Sequence, residues 1–443
     1  MSSRAVIRAA TVASLVVPAT LSAQAAFDTL TARPIALREA VVLAEQNGLA
    51  AIQSRGQIKT AESGVRTAKG ALWPNVNVSL GQVNQSGERL DAQGRLVPYL
   101  ASQPWTYSTG LTSSINLFDG GRRWNEVKRA GFDVGAAQAN EVAQKYGLAL
   151  QVKTQYYGIL AAREAEAAAQ AQLQQAREQL KFSIARTKAG VVTLSDSLRS
   201  VIAVGNAQLA LITARNNVRV SSAALTRIIG SEDFVTAQAS DTLDRGLAPI
   251  DSSFLASLLT ASPAVKQSEA QLASAQATIK SSRTPYLPSL DLTYSRSGNG
   301  FDKVYGLGGS PLAYTNNFSV RMSYALFNNF TREDAVTRAV VASDLAQASL
   351  RDVTLAAKQT LVQQLAAINT AQQRILIQQA TIDAAREDLR VQQQRYALGA
   401  STLLDVLTSQ TTLDAARAAL IQARQDVRVA RAQLEALVGR DLP

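Results

Sequence analysis

The chain has 443 residues, of which 47% are hydrophobic but only 5% aromatic, and it carries a formal net charge of +11. Ala, Gln, Leu and Val together make up nearly half of the residues, a balance typical of long packed helices rather than of a compact enzyme core. The absence of cysteine excludes disulfides and a lipid-anchored thiol.

The chain begins with the pattern of a secretory signal peptide. Arg4 and Arg8 precede a short apolar run, and residues 23–25 (Ala-Gln-Ala) form a small-x-small cleavage site. The apolar run is too short to span a bilayer. We therefore predict a signal peptide over 1–25 and a mature chain in an envelope compartment. The net positive charge then suggests anionic lipid head groups or acidic solutes, or simply a solvated basic surface, and no nucleic-acid partner is predicted.

Two helices follow in the predicted mature chain. A short amphipathic helix is predicted over Leu30–Asn47, and a longer polar and alanine-rich helix runs to Leu72. The second helix stops at Trp73 and Pro74, because proline cannot continue a helix and biases its predecessor toward extended geometry.

Alternating apolar and polar residues then predict two pairs of strands, at about 75–118 and about 289–327. Each strand has about ten residues, which is enough to cross a bilayer when tilted. A barrel in lipid has no free edge, so a chain with four strands must obtain the others from identical partners. A soluble β-sandwich is the alternative, but it normally needs more strands and turn signals.

Tryptophan positions agree with a membrane barrel. The three tryptophans of the chain, Trp73, Trp105 and Trp124, each lie just outside a predicted strand. Aromatic residues form girdles at the head groups of such barrels, so we predict these three as membrane-interface anchors. Chance clustering is the alternative.

A long helical hairpin follows each strand pair, and the two hairpins are repeats. Ser183–Gly230 recurs as Gln392–Gly439 at an offset of about 209 residues. Glycine stops the first helix of each hairpin, and Thr-x-x-Asp, a capping pattern, starts the second. The matching residues are Arg186, Gly190, Thr193, Leu194, Asp196 and Leu198, which recur as Arg395, Gly399, Thr402, Leu403, Asp405 and Leu407.

Apolar residues at every seventh position predict antiparallel coiled coils, whose helices would run about 70 residues or roughly 100 Å from strand to tip. The predicted seam of the second hairpin comprises Leu361, Ile368, Ile375, Ile382, Leu389, Tyr396, Val406, Leu413, Leu420, Val427 and Leu434, with Ala416, Ala423, Ala430 and Leu437 beside them. The first hairpin has Val204, Leu211, Val218 and Leu225, with Ala207 and Ala214. These residues are predicted as core, without a ligand role.

The predicted organisation is therefore a duplication. A first repeat spans 26–230, with its hairpin at 120–230, and a second spans 263–443, with its hairpin at 328–439. The acid-rich stretch 231–262 between them lacks periodicity and is interpreted as an irregular equatorial linker.

This order of elements resembles the TolC-like outer-membrane efflux protein family. The stretches that carry the resemblance are IALREAVVLAEQNGLAAIQS, the strand exits INLFDGG and YALFNNF, and the tip RYALGASTLLDVLTSQTTLDAA. The resemblance implies a mainly α fold with membrane β: duplicated coiled-coil hairpins and four transmembrane strands per chain, which contribute to a shared trimeric 12-stranded barrel. It also implies a passive exit duct of an efflux or type I secretion system, located in the outer membrane and extending into the periplasm. The implied partners are two sister subunits, a periplasmic adaptor, an inner-membrane pump and outer-membrane lipid.

Positions that match the family assign expected roles at the hairpin tips. Tyr396 and Asp196 match a tyrosine and an aspartate that close the gate, whereas Ser401 stands where the family has an arginine. Asp405 matches the first position of a lumen-facing acid ring, and Thr408 stands at the second. Capping is the competing role for both aspartates. The turns that resemble adaptor contacts contain Gly190, Val191, Val192, Gly399, Ala400 and Ser401, which act as helix stops in the competing interpretation.

Two other classes of protein are the alternatives. An enzyme is disfavoured, because the chain has no histidine or cysteine, no phosphate-binding glycine motif and no carboxylate cluster with metal spacing, so neither cofactor nor metal is predicted. Residues 306–309 (Gly-Leu-Gly-Gly) lie in a predicted strand loop without a following helix. A periplasmic adaptor or structural coiled coil would share the heptads but ordinarily has a single hairpin.

Overall fold

The structure is a computed structural model of the protein that describes residues 32–84, 87–98, 105–241, 257–302 and 312–442. The predicted signal peptide, part of the predicted linker and the 306–309 loop lie outside the described residues. The elements in chain order are β1 (Arg33–Ile35), α1 (Leu37–Asn47), α2 (Leu49–Gly70), β2 (Asn75–Asn84), β3 (Glu88–Leu90), β4 (Leu96–Pro98), β5 (Trp105–Phe118), α3 (Arg122–Lys188), α4 (Leu194–Ile229), β6 (Val235–Ala237), α5 (Pro263–Ser282), β7 (Ser289–Asp302), β8 (Ala313–Ser323), α6 (Thr331–Ala397) and α7 (Leu403–Val438).

Two long helical hairpins form most of the molecule. Helices α3 and α6 each have 67 residues, and α4 and α7 each have 36. At 1.5 Å per residue the longer pair extends about 100 Å. Helix α3 packs against α4 and α6 against α7, while α3 and α7 join the two hairpins and α2 and α5 lie beside α3.

The predicted coiled-coil seam is confirmed. In the second hairpin Leu361, Ile368, Ile382, Leu389 and Tyr396 are buried, as are their partners on α7. Ile375 is half-buried and packs against the cluster that contains Ile382, Leu389 and Tyr396. The first hairpin buries a smaller cluster that consists of Ala169, Leu173, Ala207, Leu211 and Ala214. The small side chains let the two helices approach closely, as the sequence predicted.

The four long strands form one antiparallel sheet in the order β2-β5-β7-β8. Its two faces differ, because Val76, Val78 and Leu80 point to the same side as Val320 and Met322 and all five are exposed. Among the described residues, neither β2 nor β8 has a partner on its outer edge. The alternation that the sequence predicted is therefore present, with one face apolar.

Strand limits differ from the prediction at two places. Strand β8 ends at Ser323 and not near residue 327, because its partner β7 begins at Ser289, after a proline, and leaves nothing to pair with the following residues. The freed carbonyls of Ala325 and Leu326 accept hydrogen bonds from the Arg332 guanidinium at 3.0 and 3.4 Å. Trp105 was predicted to lie just outside a strand, but it is the first residue of β5.

An equatorial core surrounds the middle of α3. Strands β1 and β6 pair in parallel, and with α1 they cover a cluster centred on Tyr156, which is fully buried. The Tyr156 hydroxyl accepts from the Gln238 N–H at 3.1 Å and lies 2.6 Å from Asp241 Oδ2. Burial and this carboxylate raise the pKa of Tyr156, so the hydroxyl keeps its proton as a donor.

Four short strands were missed from the sequence. Pro34 and Ile35, interpreted as part of a helix, lie in β1, and the helix begins at Leu37. Strand β6 lies within the stretch interpreted as irregular linker. Strands β3 and β4 form a hairpin inside the predicted loop. Segments of three residues are too short to show a period of two, so pattern alone does not reveal them.

Candidate functional site at the hairpin tips

Both hairpins turn at a glycine in the left-handed conformation. Gly190 has φ 70° and Gly399 has φ 77°, a region that other residues enter at a cost. The next N–H after each glycine bonds back five residues, from Val191 to the Arg186 carbonyl at 3.0 Å and from Ala400 to the Arg395 carbonyl at 2.8 Å. Both tips therefore end their first helix by the same Schellman-type closure.

The second tip has a complete capping box. The Asp405 N–H donates to Thr402 Oγ1 at 3.3 Å, and the Thr402 N–H donates to Asp405 Oδ2 at 2.8 Å. The hydrogen bond from the Thr402 N–H, followed by that from its hydroxyl, lowers the pKa of Asp405 below its usual value of 3.8. Asp405 thus caps α7 as a carboxylate.

The first tip lacks the capping box that its matching Thr-x-x-Asp sequence predicts. Thr193 is the N-cap residue of α4 but makes no side-chain cap hydrogen bond, so this prediction is wrong. Hydroxyl groups close the turn instead: Thr187 Oγ1 lies 2.7 Å from Ser197 Oγ and 3.5 Å from the Thr193 carbonyl oxygen. Ser183 and Ser200 form a second, buried pair at 2.9 Å.

The predicted gate pair is not joined in this structure. Tyr396 is 4% exposed, and its hydroxyl is buried without a hydrogen-bond partner among the described residues. Half-buried Asp196 lies on the other hairpin, in the first turn of α4. The side chain that does reach Tyr396 is Arg186, whose guanidinium donates to the Tyr396 carbonyl and lies over its ring. The sequence singled out Arg186 as a repeat position without assigning it a role.

The tip residues predicted to contact an adaptor fall into two groups. Gly190, Val191, Gly399 and Ala400 are exposed beyond the ends of the helices. Val192 instead packs against the seam of the second hairpin, and half-buried Ser401 donates to the Gln392 carbonyl at 3.3 Å. The second group therefore holds the turns in place.

Exposed leucines beside the turns were missed from the sequence. Leu398 is 85% exposed directly before the second tip glycine, and Leu194 and Leu404 are exposed at the start of the returning helices. Exposed apolar groups clustered at one end of a molecule mark contact surfaces. The only available signal was a leucine immediately before the helix-stopping glycine.

A groove of about 380 Å³ runs between the hairpins, starting about two turns from the tips. Amide side chains line it together with aliphatic side chains and Arg199. Gln179 is one of the lining residues, and its Nε2 is buried without a hydrogen-bond partner among the described residues. A donor of this kind favours an occupant that brings an acceptor.

The three tryptophans lie at both ends of the sheet. Trp73 precedes β2, Trp124 lies in the first turn of α3, and both are exposed at the end where strands meet helices. Trp105 pairs with Asn84 and Asp302 at the opposite end. The anchoring role of these residues stays a prediction.

A sheet with one apolar face, joined at one end to helical hairpins of this length, defines a channel subunit that combines a membrane barrel with a helical tunnel. The chain belongs to the outer membrane efflux protein family, whose model, described as "Outer membrane efflux protein", matches residues 40–231 and 254–440. This confirms the resemblance seen in the sequence. The protein is therefore located in the outer membrane and extends into the periplasm.

Among curated relatives, the chain is similar to "Protein CyaE" of Bordetella pertussis, with 28% identity over 68% of this chain and 62% of that protein. It is also similar to the "Pyoverdine export outer membrane protein OpmQ" of Pseudomonas aeruginosa, with 25% identity over 86% of this chain and 79% of that protein. The match thus spans less than two thirds of the length of CyaE.

Solved channel structures share the fold. The Campylobacter jejuni CmeC outer membrane channel matches with a TM-score of 0.74 and 18% identity, covering 91% of this chain and 85% of that one. The open state of the Neisseria gonorrhoeae MtrE outer membrane channel matches with a TM-score of 0.72 and 20% identity, covering 92% and 89%. These matches confirm the predicted combination of helical hairpins and barrel strands.

Proposed function

We propose that this outer-membrane efflux protein works as a passive exit duct of a tripartite efflux or type I secretion system. Three copies form one barrel and one periplasmic tunnel, the hairpin tips gate the tunnel, and an adaptor connects it to an inner-membrane pump. The observation that carries this proposal is a sheet whose two outer edges have no partner in the part of the chain that the structure describes, joined to two hairpins about 100 Å long.

The edges of the sheet support a homotrimer. Exposed N–H and C=O groups of β2 and β8 have no water partners in lipid, so each edge must pair with another chain. Three sheets of four strands would close a barrel of twelve, which is wide enough to hold a pore.

Exposed apolar stripes on the hairpins support the same assembly. On α6, Leu355, Val362 and Leu376 recur at multiples of seven residues and are exposed. Of the described helices, α4 has the length and apolar composition of a membrane span, and exposed Ile202 and Leu209 contribute to this composition. Because α4 packs along α3, we assign its outer face to a neighbouring subunit and not to lipid.

The relatives support export as the function. OpmQ is named as an export protein, and the matching CmeC and MtrE structures are outer membrane channels. The duct is expected to be passive and without catalytic activity. Among the described residues no group of three or more metal-binding side chains occurs. Energy for transport would come from the pump.

The tip turns and the groove between the hairpins are proposed as the adaptor contact. Exposed Val191, Ala400 and Leu398 offer an apolar end surface, and the amide-lined groove above them has an unpaired donor at Gln179. A helical adaptor tip with small and amide-bearing residues fits both features.

Planar-bilayer conductance of the purified oligomer tests the duct. The protein should sediment with the outer membrane, run as a heat-modifiable trimer and conduct ions. A water-soluble monomer that conducts nothing would favour the alternative, a periplasmic adaptor or structural coiled coil. In cells, deletion should reduce export of at least one dye, drug or secreted protein when the partner pump is expressed.

Asp405 is proposed as the acid ring of the gate in addition to its role as a cap. A ring of three carboxylates concentrates cations in a narrow pore. Asp405→Asn keeps an oxygen that can accept from the Thr402 N–H but removes the charge, so it should lower cation selectivity while α7 stays capped. Unchanged reversal potentials in a salt gradient would leave Asp405 as a cap alone.

A further inference from the structure

We propose that Arg186 is the positioning residue that fastens the two hairpin tips of one subunit to each other and so resists opening of the duct. The inference rests on the proposed function, because it assumes that the tips form the gate. The group that joins the two tips is the Arg186 guanidinium and not the Tyr396 hydroxyl.

The side chain of Arg186 crosses from one hairpin to the other. It belongs to the last turn of α3, and its Nη1 donates to the backbone carbonyl of Tyr396, in the last turn of α6. Carbonyls at the end of a helix lack intrahelical partners and attract positive charge. The Tyr396 carbonyl also accepts from the Gly399 N–H at 3.1 Å, so the bond reaches the turn itself.

Two aromatic rings hold the guanidinium in place. Its Cζ lies 4.9 Å from the centroid of the Tyr396 ring and 5.6 Å from that of Phe182, one turn earlier on α3. Both distances are within cation–π range. The two rings also meet edge to face, with centroids 6.2 Å apart. Arg186, Phe182 and Tyr396 therefore form one unit, which we call the tip brace.

The hydroxyl of Tyr396 takes no part in this unit. It is buried without a hydrogen-bond partner among the described residues. Everything that Tyr396 contributes across the hairpins comes from its ring face and its carbonyl. Phenylalanine at this position would keep both.

The tip brace occurs in one direction only. Arg395 is the repeat counterpart of Arg186, but it is exposed and donates within its own tip, to the Ala400 carbonyl at 3.4 Å. The counterparts of Phe182 and Tyr396 are Val391 and Thr187, which supply no ring. Arg395 is therefore a matched control of the same residue type and helix position.

Separating the tips would break all contacts of the tip brace together. Arg186→Gln should therefore raise the ratio of open to closed time by about tenfold in planar-bilayer recordings of the purified trimer. Arg186→Lys keeps the charge but loses the planar fork, so it should give a smaller rise. Arg395→Gln, the matched control, should behave like the parent protein. Tyr396→Phe keeps the ring and the carbonyl of the tip brace, so it should not reproduce the rise expected for Arg186→Gln.

The outcomes separate the tip brace from the duct. If the parent protein conducts and Arg186→Gln and Arg186→Lys stay like Arg395→Gln, the tip brace is refuted while the duct stands. If Tyr396→Phe opens the channel as much as Arg186→Gln, the hydroxyl is the fastener and the tip brace is refuted. If the parent conducts nothing, the proposed function itself fails. Thermal unfolding should change little in Arg186→Lys, so an effect on conductance alone distinguishes gating from general stability.

Discussion

The two hairpins have the same helix lengths but different interiors beside their tips. In the first, the seam near the turn consists of hydroxyl pairs, Ser183 with Ser200 and Thr187 with Ser197. In the second it consists of buried apolar groups, among them Leu403. Hydrophobic burial and a capping box hold the second tip, whereas the first depends on hydrogen bonds that water can replace. We infer that the first tip opens locally at lower free energy.

The largest expected effect comes from a pair of repeat-matched leucines. Leu403 is 1% exposed and Leu194, at the same position of the first hairpin, is 67% exposed. Leu403→Ala should lower the free energy of unfolding by about 2–5 kcal/mol, since it leaves a cavity. Leu194→Ala should stay within about 0.5 kcal/mol. Denaturant unfolding in detergent measures both, and equal losses would contradict the contrast between the tips.

Substitutions in the buried hydroxyl pair of the first tip are expected to have the next largest effect on the free energy of unfolding. Ser200→Ala leaves the Ser183 hydroxyl without its partner at 2.9 Å, which should cost about 1–3 kcal/mol. Replacing both serines by alanine should cost less than the single change, because no polar group is then left unpaired. A double-mutant cycle on unfolding free energies decides this, and simple additivity would show that the pair is not coupled.

Removing the threonine side chain at the start of α7 or of α4 should change the free energy of unfolding by a smaller amount. Thr402→Ala removes a side-chain cap and should cost about 1 kcal/mol, whereas Thr193 makes no such bond and Thr193→Ala should cost less. Amide hydrogen-exchange rates in the first turns of α7 and α4 measure the stability of each helix start separately. Faster exchange of α4 in Thr193→Ala by the same factor would mean that the two caps are equivalent.

The smallest expected effect depends on pH. Because the pKa of Asp405 is lowered in the folded protein, its contribution is present above its usual value of 3.8 and is lost as the pH falls through the folded value. Protection of the first turn of α7 should therefore decrease below about pH 4, with that of α4 as the internal reference. Asp405→Asn should abolish this pH dependence. Constant protection down to pH 3 in the parent would contradict the cap assignment.

Repeated patterns in the sequence predicted most of the fold. Seam residues such as Leu413 and Leu434 recur every seventh position, and the strand residues alternate because one face of the sheet is apolar. Strands β1, β3, β4 and β6 could not be found, since three residues show no period. Long elements with a sustained pattern were thus predictable, and short ones fixed by tertiary pairing were not.

The site was less predictable than the fold, for two physical reasons. Thr193 and Thr402 begin the same four-residue pattern, yet only the Thr402 side chain makes a cap hydrogen bond. At the first tip the Thr187 hydroxyl instead lies 3.5 Å from the Thr193 carbonyl oxygen. Arg186 and Arg395 also match in sequence, yet only Arg186 has aromatic rings in reach. Roles that depend on a side chain from the other hairpin are set by packing between hairpins, which the repeat alone does not encode.

The bare edges of the sheet have a consequence for biogenesis. Among the described residues the outer edges of β2 and β8 have no partner, so a lone chain would leave backbone groups unpaired in the bilayer. In the proposed trimer, insertion and subunit association should therefore be one coupled event. One chain whose edge strands cannot pair would leave the barrel open. If three copies form the barrel, as proposed, and half of the chains are defective and mix at random, roughly one barrel in eight should be intact, so such alleles should act as dominant negatives.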